Sequence, residues 1–566
     1  MRGGRARTGG ACGILAVLAA WGAPAHASDS PAAAAPGNAN PAQAKPAPTL
    51  PANATAAPDR FFIQAYDVSG VTVLSTREIE ALVYPHSGPD RGQTDVEAAR
   101  KAIQDAYAAK GYGAALVDIP VQAQDTFSAG IVQIVVNEVP VGHVRVVGSR
   151  FHSLWVAREA LPALAEGAPV NLKALQAQVA VANRYPDRAI DPQFKPGRVP
   201  GEIDVDLKVT DEHPLHASAQ LDDDFSPNTK PLRLTASVRY TNLFQAGQTA
   251  AFTFIVAPQN YHDTEVFAGS YSIPVLNTPW SFSLSGYRSN SNVASLGGSS
   301  VLGNGFQVGA RVLYRLPSAD TSQSLSFGFD FKDFKQKILV SGALASSAPI
   351  RYIPVELQYA LSGATEHSSY DVSLGSTLGL RVIKQVVCID VAGSCVLSDA
   401  FQNREQYSYE NFARFNLSAD YSHVFGNDVI LAARLTGQLA DGHLVTNEQF
   451  AAGGVQTVRG YYASEAVGDN GIEPSLELRL PSLASKFGSW VSELRPYAFA
   501  DAAFLHVDSA LTGQRGNYRM IGVGGGLRFR MFGKVSGEIL AALPLTAGPV
   551  TPADRARINF QIKGDF

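Results

Sequence analysis

The stretch that decides the fold runs from Gly453 to Gly471, "GGVQTVRGYYASEAVGDNG". Its nineteen residues hold five glycines and one arginine and follow neither a helical nor a strand period. Irregular segments of this length in a compact protein are usually functional or disordered. Gly453, Gly454, Gly460, Gly468 and Gly471 supply backbone freedom, and Arg459, set between Val458 and Gly460, stands as the fixed charge. What the segment is for depends on the sequence around it.

That surrounding sequence alternates. In "LRLTASVRY", Leu232, Leu234, Ala236, Val238 and Tyr240 fall on one side and Arg233, Thr235, Ser237 and Arg239 on the other. This is the period-two pattern of a strand with one apolar face. "WSFSLSG" sets Trp280, Phe282 and Leu284 against three serines, and "FQVGARVLYRL" and "SLSFGFDFK" repeat the scheme. Aromatic residues gather toward the ends of such runs, as an interfacial girdle requires. A soluble sandwich would bury the same faces, but over the 354 residues from His213 it should split into shorter units.

Composition points the same way. Charged residues make up 17% of the chain and mean hydropathy is near zero, yet beyond the first few dozen positions there is no apolar run of about 18 residues. A helical membrane protein is therefore excluded. A membrane β-barrel, whose every second residue faces water, gives such an average. In the closing "RINFQIKGDF", Ile558, Phe560, Ile562, Gly564 and Phe566 share one face. An outward aromatic at the end of the chain resembles the sorting signal of bacterial outer-membrane barrels.

The start of the chain reads as a secretory leader over 1–27. Arg2, Arg5 and Arg7 precede an apolar core from Ile14 to Trp21, and Ala25-His26-Ala27 offers a cleavage site. Removing those three arginines takes the net charge from −4 to about −7 (−4 minus 3), which leaves no basic footprint for nucleic acid. Residues 28–58 are rich in alanine and proline and form a spacer. Beyond the leader, Cys388 and Cys395 remain in "VVCIDVAGSC". A short disulfide loop suits an exported chain. Two thiols without nearby histidines make half of a metal site, and no metal is expected.

Two small α+β modules fill the interval before the barrel. Over 59–140, "FFIQAYDVSG" leads to the capping box Ser75-Thr76-Arg77-Glu78, and a second box, Thr94-Asp95-Val96-Glu97, is expected to open a helix that Gly111 ends. The strands "AALVDIPVQ" and "GIVQIVVNEV" complete a β-α-α-β-β order. Over 141–212 the cycle recurs more loosely: "GHVRVVGSR", helices from Leu154 to Leu164 and from Leu172 to Asn183, and "EIDVDLKVTDEHP". Self-similarity of this kind marks an internal repeat.

With these pieces in place, "NEQFAAGGVQTVRGYYASEAVGDNGIEPSLELRLP" resembles the barrel-loop signature of two-partner secretion transporters of the ShlB/FhaC/HecB type, in the wider superfamily that includes BamA. The likeness covers essentially the whole chain after the leader. It implies that the two modules are POTRA domains and that residues 213–566 form a sixteen-stranded transmembrane barrel. That leaves about 22 residues for each strand and turn, which suits membrane strands of roughly 9–11 residues. It further implies that the loop, about 448–473, folds into the lumen and that its arginine pairs with an aspartate on the wall. The matching segment is "PYAFADAAF", with Asp501 flanked by Phe499 and Ala503, where the family often has glycine in place of Ala503. A guanidinium inside a barrel has five donors to satisfy, and a carboxylate accepts two of them side by side. The motif residues carried over are Gly453, Gly454, Val458, Arg459, Gly460, Tyr461, Gly468, Asp469 and Gly471. The family often carries a plug helix before the modules, for which the prolines of 28–58 leave little room.

The function implied is that of an outer-membrane transporter with its POTRA domains in the periplasm. Its client would be a secreted partner exoprotein such as a haemolysin, adhesin or toxin. Its other partners would be outer-membrane lipid and, during biogenesis, the barrel assembly machinery. An assembly factor of the BamA type is the alternative, and two modules are fewer than such factors carry. No GxxxxGK[ST], GxSxG or HExxH occurs, so neither an enzyme nor a cofactor is expected.

Overall fold

The computed structural model describes residues 60–566 apart from 184, 186, 228, 276–277, 291–292, 297–298, 303, 319–320, 336, 341–342 and 392–393. The expected leader and spacer lie outside the described residues. The chain divides into two compact units, with the division at His213 and Pro214.

In the N-terminal unit, β1 (Phe61–Ile63) and β2 (Ala65–Ser69) lead into α1 (Thr76–Val83), β3 (Gly88–Arg91) and α2 (Gln93–Ala109). Then β4 (Leu116–Asp118), α3 (Gln124–Ser128) and β5 (Ile131–Asn137) complete the first module. Ser75 caps α1: the Ser75 amide donates to Glu78 at 2.9 Å and the Glu78 amide donates to the Ser75 hydroxyl at 3.4 Å. The expected box at Thr94–Glu97 is corrected. The N-cap of α2 is Gly92, whose amide donates to Asp95 at 2.9 Å, and Arg91 holds the same carboxylate at 3.1 Å. Glu97 turns instead to Arg100. Asp95 wins because its short side chain folds back on the first turn while Arg91 neutralises it.

The second module comprises β6 (Val141–Val147), α4 (Leu154–Glu159), α5 (Leu172–Ala182), β7 (Arg188–Pro196) and β8 (Ile203–Asp211). Both modules have one topology, with the first strand parallel to the last and the middle strand antiparallel to it: β2-β5-β4 and β6-β8-β7. Strand β7 carries Pro192 and Pro196, residues that disfavour the interior of a sheet. It lies at a sheet edge, where proline is tolerated. Ile103, Tyr107, Ile134 and Val136 fill the first core, and Leu161, Leu175, Ile190 and Leu207 the second. Gly111 ends the helical run at φ +94°, and a Cβ there would meet Asn171 Oδ1 at 2.5 Å. That closeness lets the Leu172 amide, at the start of α5, donate to the Gly111 carbonyl at 2.8 Å.

The second unit is a closed barrel of sixteen antiparallel strands. It is sealed where Leu215–Asp222 meets Arg557–Asp565, in register from Gln561 with Asp222 to Asp565 with Ser218. Phe566 extends this seam, its amide donating to the Ala217 carbonyl at 2.8 Å. Leu234, Val238, Trp280, Phe282, Leu284, Phe327 and Phe329 face outward and exposed. So do Ile558, Ile562 and Phe566, with Phe560 half-buried beside them. A sandwich would have packed these faces together. A contiguous apolar belt around a closed sheet is suited only to lipid. The buried groups inside are charged instead, among them Asp330, Lys332, Glu356, Arg459 and Asp501.

Candidate functional site: the loop across the lumen

The decisive segment connects strands Ile430–Ala440 and Asn470–Arg479 and turns back inside the barrel, where Arg459 meets the inner wall. Its two arms pair as a short ribbon, Phe450–Ala452 with Ala466–Gly468. Beyond the ribbon the backbone needs left-handed conformations at Gly453 (φ +109°) and Gly460 (φ +102°). At Gly453 a side chain would also strike the Tyr462 carbonyl oxygen at 2.4 Å. These two positions explain why an otherwise β-rich chain spends glycine here.

Arg459 is almost fully buried. Its Nε donates to Asp501 Oδ2 at 2.7 Å and its Nη2 to Asp501 Oδ1 at 2.8 Å, a two-pronged contact. Nη1 donates to Glu477 Oε2 at 2.6 Å, and the Arg459 main-chain amide adds a bond to Asp501 at 3.1 Å. The guanidinium lies 3.6 Å from the centre of the Phe499 ring, so cation–π attraction acts on its face while the carboxylates hold its edge. Ser475 lies opposite Asp501 in the register and donates to it at 2.7 Å. Glu477 also takes Arg528 at 2.6 Å and Arg479 at 2.7 Å.

Sequence reasoning missed Glu477, Ser475 and Arg528. The signal was present: in "GIEPSLELR", Glu473, Ser475, Glu477 and Arg479 alternate with Ile472, Pro474, Leu476 and Leu478, which marks the inward face of a strand. It also missed the glycine run "GVGGG" of strand Asn517–Met531. A Cβ on Gly522 would stand 2.1 Å from the Arg459 carbonyl oxygen, and one on Gly524 would stand 2.6 Å from the Phe499 ring. The wall is hollowed to admit the loop and its aromatic platform.

The remaining motif residues fix the loop around this contact. Val458 and Tyr461 pack against Ala503, Leu505 and Met520. The Tyr461 hydroxyl donates to the Thr546 carbonyl at 2.6 Å and accepts the Ile521 amide at 3.1 Å. Gly454 lies against the Ala463 backbone, and Gly468 and Gly471 sit close to Leu505. Asp469 is fully buried and closes the neck of the loop, accepting the Leu444 amide at 2.8 Å, Gln449 Nε2 at 3.0 Å and the Asp508 amide at 2.7 Å. Below the tip is a cavity of about 470 Å³, lined by Gln456, Arg434, Glu477, Arg528 and Glu538 among others. Cys388 and Cys395 lie far from this site in sequence, joined across the hairpin Val386–Val391 and Ser394–Asp399 with Cα atoms 5.3 Å apart. Among the described residues no group of three or more His, Cys, Asp or Glu side chains could hold a metal.

The chain as a whole is similar to known proteins. The family described as haemolysin secretion/activation protein ShlB/FhaC/HecB matches residues 201–529, and the POTRA domain, ShlB-type, matches residues 61–138. The outer membrane transporter CdiB of Escherichia coli is 23% identical over 526 residues, covering 89% of this chain and 82% of that protein. CdiB of Dickeya dadantii (strain 3937) is 22% identical over 412 residues, covering 71% and 69%. Among solved structures, CdiB from Escherichia coli aligns with a TM-score of 0.64 at 21% identity, over 92% of this chain and 93% of that one. CdiB from Acinetobacter baumannii aligns at 0.59 and 15% identity, over 91% of each.

Proposed function

We propose that this chain, which belongs to the ShlB/FhaC/HecB haemolysin secretion/activation family of outer-membrane transporters, captures an unfolded exoprotein in the periplasm and passes it outward through the barrel. The observation that carries this reading is a loop spanning a charged lumen and fastened at its tip by Arg459 to Asp501 and Glu477. A plain pore has no use for a buried, ionically fastened loop in its channel. A conduit that must stay shut until a client arrives does. Irregular backbone is tolerated at membrane depth because it borders the lumen and not lipid.

Capture falls to the N-terminal modules. Their sheets end on edge strands, β2 and β4 in one and β6 and β7 in the other, which an extended client can lengthen by main-chain hydrogen bonding. Pro192 and Pro196 blunt β7, and the side chain of Gln104 occupies the β4 edge by bonding Ala115 and Val117. Gly167 and Ala168 bond the main chain of β6 at Val141, and Glu166 bonds it at Val144, which leaves β2 as the better receptor. Exposed Phe62, Leu116 and Val121 add apolar contact for unfolded chain. Export then draws on folding of the client outside, with no nucleotide hydrolysed. The disulfide acts as a local staple on its hairpin.

Deleting residues 61–210 tests the division of labour. The truncated protein should insert in the outer membrane at normal levels and export no client to the medium. Normal export by that protein would overturn the assignment of capture to the modules.

A further inference from the structure

The tip contact is only one of the places where the loop is tied to the wall. At its base, Glu448 is almost fully buried and ends the short helical turn Thr446–Glu448. Its Oε1 accepts Lys332 Nζ at 2.6 Å and the Tyr352 hydroxyl at 2.6 Å, and its Oε2 lies 3.0 Å from Arg414 Nε. Those partners stand on strands Thr321–Lys335, Ile350–Ala364 and Phe412–Val424, the seventh, eighth and tenth of the barrel counted from Leu215–Asp222. The partners of Arg459 stand on the twelfth, thirteenth and, through Arg528, fourteenth. The loop leaves from the eleventh. It is therefore tied to wall on both sides of its own strand, by two ionic groups that share no residue.

The base is otherwise well made. Thr446 donates its amide and its hydroxyl to Glu405, both at 2.8 Å, and Gln438 Nε2 donates to the carbonyls of Glu448 and Asp469, both at 3.0 Å. Leu444 and Val445 pack with Phe401, Tyr352 and Phe412. A carboxylate at this point does more than fill space, because removing it takes from the buried Lys332 ammonium the carboxylate to which it donates.

We propose that Glu448 is a second positioning residue of the transporter, an anchor that holds the base of the loop independently of Arg459, so that the channel opens fully only when both ties are released. This rests on the loop acting as the barrier to transport.

The test is the conductance of the purified full chain in planar lipid bilayers, which requires no client. Glu448→Gln should raise the fraction of time spent in open states by roughly ten- to hundredfold, and Arg459→Ala by roughly a hundredfold or more. The double variant should show close to the product of the two effects, as for separate sites without shared partners. Lys332→Met should reproduce a weaker form of the Glu448→Gln effect, and Lys332→Arg should restore closure. Folding of each barrel is checked by its heat-modifiable mobility in gels; if Glu448→Gln fails this check Lys332→Met takes its place, and if Arg459→Ala fails Asp501→Ala takes its place. A folded Glu448→Gln protein that gates like the unaltered one, or a double variant equal to Arg459→Ala alone, would overturn the proposal. Secretion of the partner protein is scored separately. A chain that gates in this way but exports nothing would sink the transport reading and leave the anchor standing.

Discussion

Replacing Arg459 with alanine removes the two-pronged contact to Asp501, the bond to Glu477 and the stacking on Phe499 in one step. The two carboxylates left behind fare differently. Glu477 keeps Arg528 and Arg479. Asp501, with its side chain fully buried, keeps only the Ser475 hydroxyl and the main-chain amide at 459. Stranding one partner of a buried ion pair costs about 3–5 kcal/mol. At 1.4 kcal/mol for each factor of ten, that shifts the docked-to-released balance of the loop by roughly a hundredfold to a few thousandfold. Asp501→Ala should fall at the low end of the same range, since Arg459 then retains Glu477 and the ring. The double variant should lie within about 1 kcal/mol of the worse single one, because the two side chains act as a unit. Hydrogen exchange of amides 453–468 in the purified protein reads the released fraction directly. Client secretion and outer-membrane level are measured alongside, and secretion should fall sharply in all three variants while the barrel level holds. Losses that add in the double variant, to about 6–10 kcal/mol, would show that the pairing does not couple these residues in the working protein. Full secretion by Arg459→Ala would reduce the loop to a passive filler.

Two further outcomes follow from individual contacts. Gly522→Val places a side chain where the Arg459 carbonyl now stands, so it should release the tip and cut secretion as deeply as Arg459→Ala with every ionic partner intact; unchanged exchange at 453–468 would show that the wall has room. In the first module, burial by itself would raise the Glu138 carboxyl, but hydrogen bonds from Thr72, Tyr107 and the Val73 amide outweigh it and hold the group below the usual carboxylate range. A depressed folded value means that its stabilisation is present above the unfolded value, about 4.3, and is lost as pH falls through the folded one. Glu138→Gln should therefore weaken protection of β2 and β5 by about 1–3 kcal/mol at pH 7, with the gap to the unaltered protein closing in acid; a gap that stays constant to pH 3 would contradict the linkage.

Much of this protein is determined locally, and that part is legible in the sequence. Period-two alternation as in "LRLTASVRY" requires a sheet with one apolar face, because successive side chains must point to opposite sides. The Ser75–Glu78 box starts a helix through contacts three residues apart. The glycines at 453 and 460 declare a backbone that other residues resist. The N-cap at Gly92 and the strand β7 were less legible, since each depends on a choice among near-equal local options that its surroundings settle.

What only the tertiary structure decided lies between residues far apart in the chain. Glu477 comes to Arg459 because antiparallel register sets Ser475 opposite Asp501 and Glu477 opposite Phe499. Register is a property of two strands and is written in neither alone. Glu448 reaches Lys332 and Tyr352 across 116 and 96 positions because the barrel closes and its lumen excludes enough water to make charges seek each other. The alternation makes the wall and the glycines permit the loop. Closure of the sheet determines which charges face each other inside it, and so where the loop is fastened.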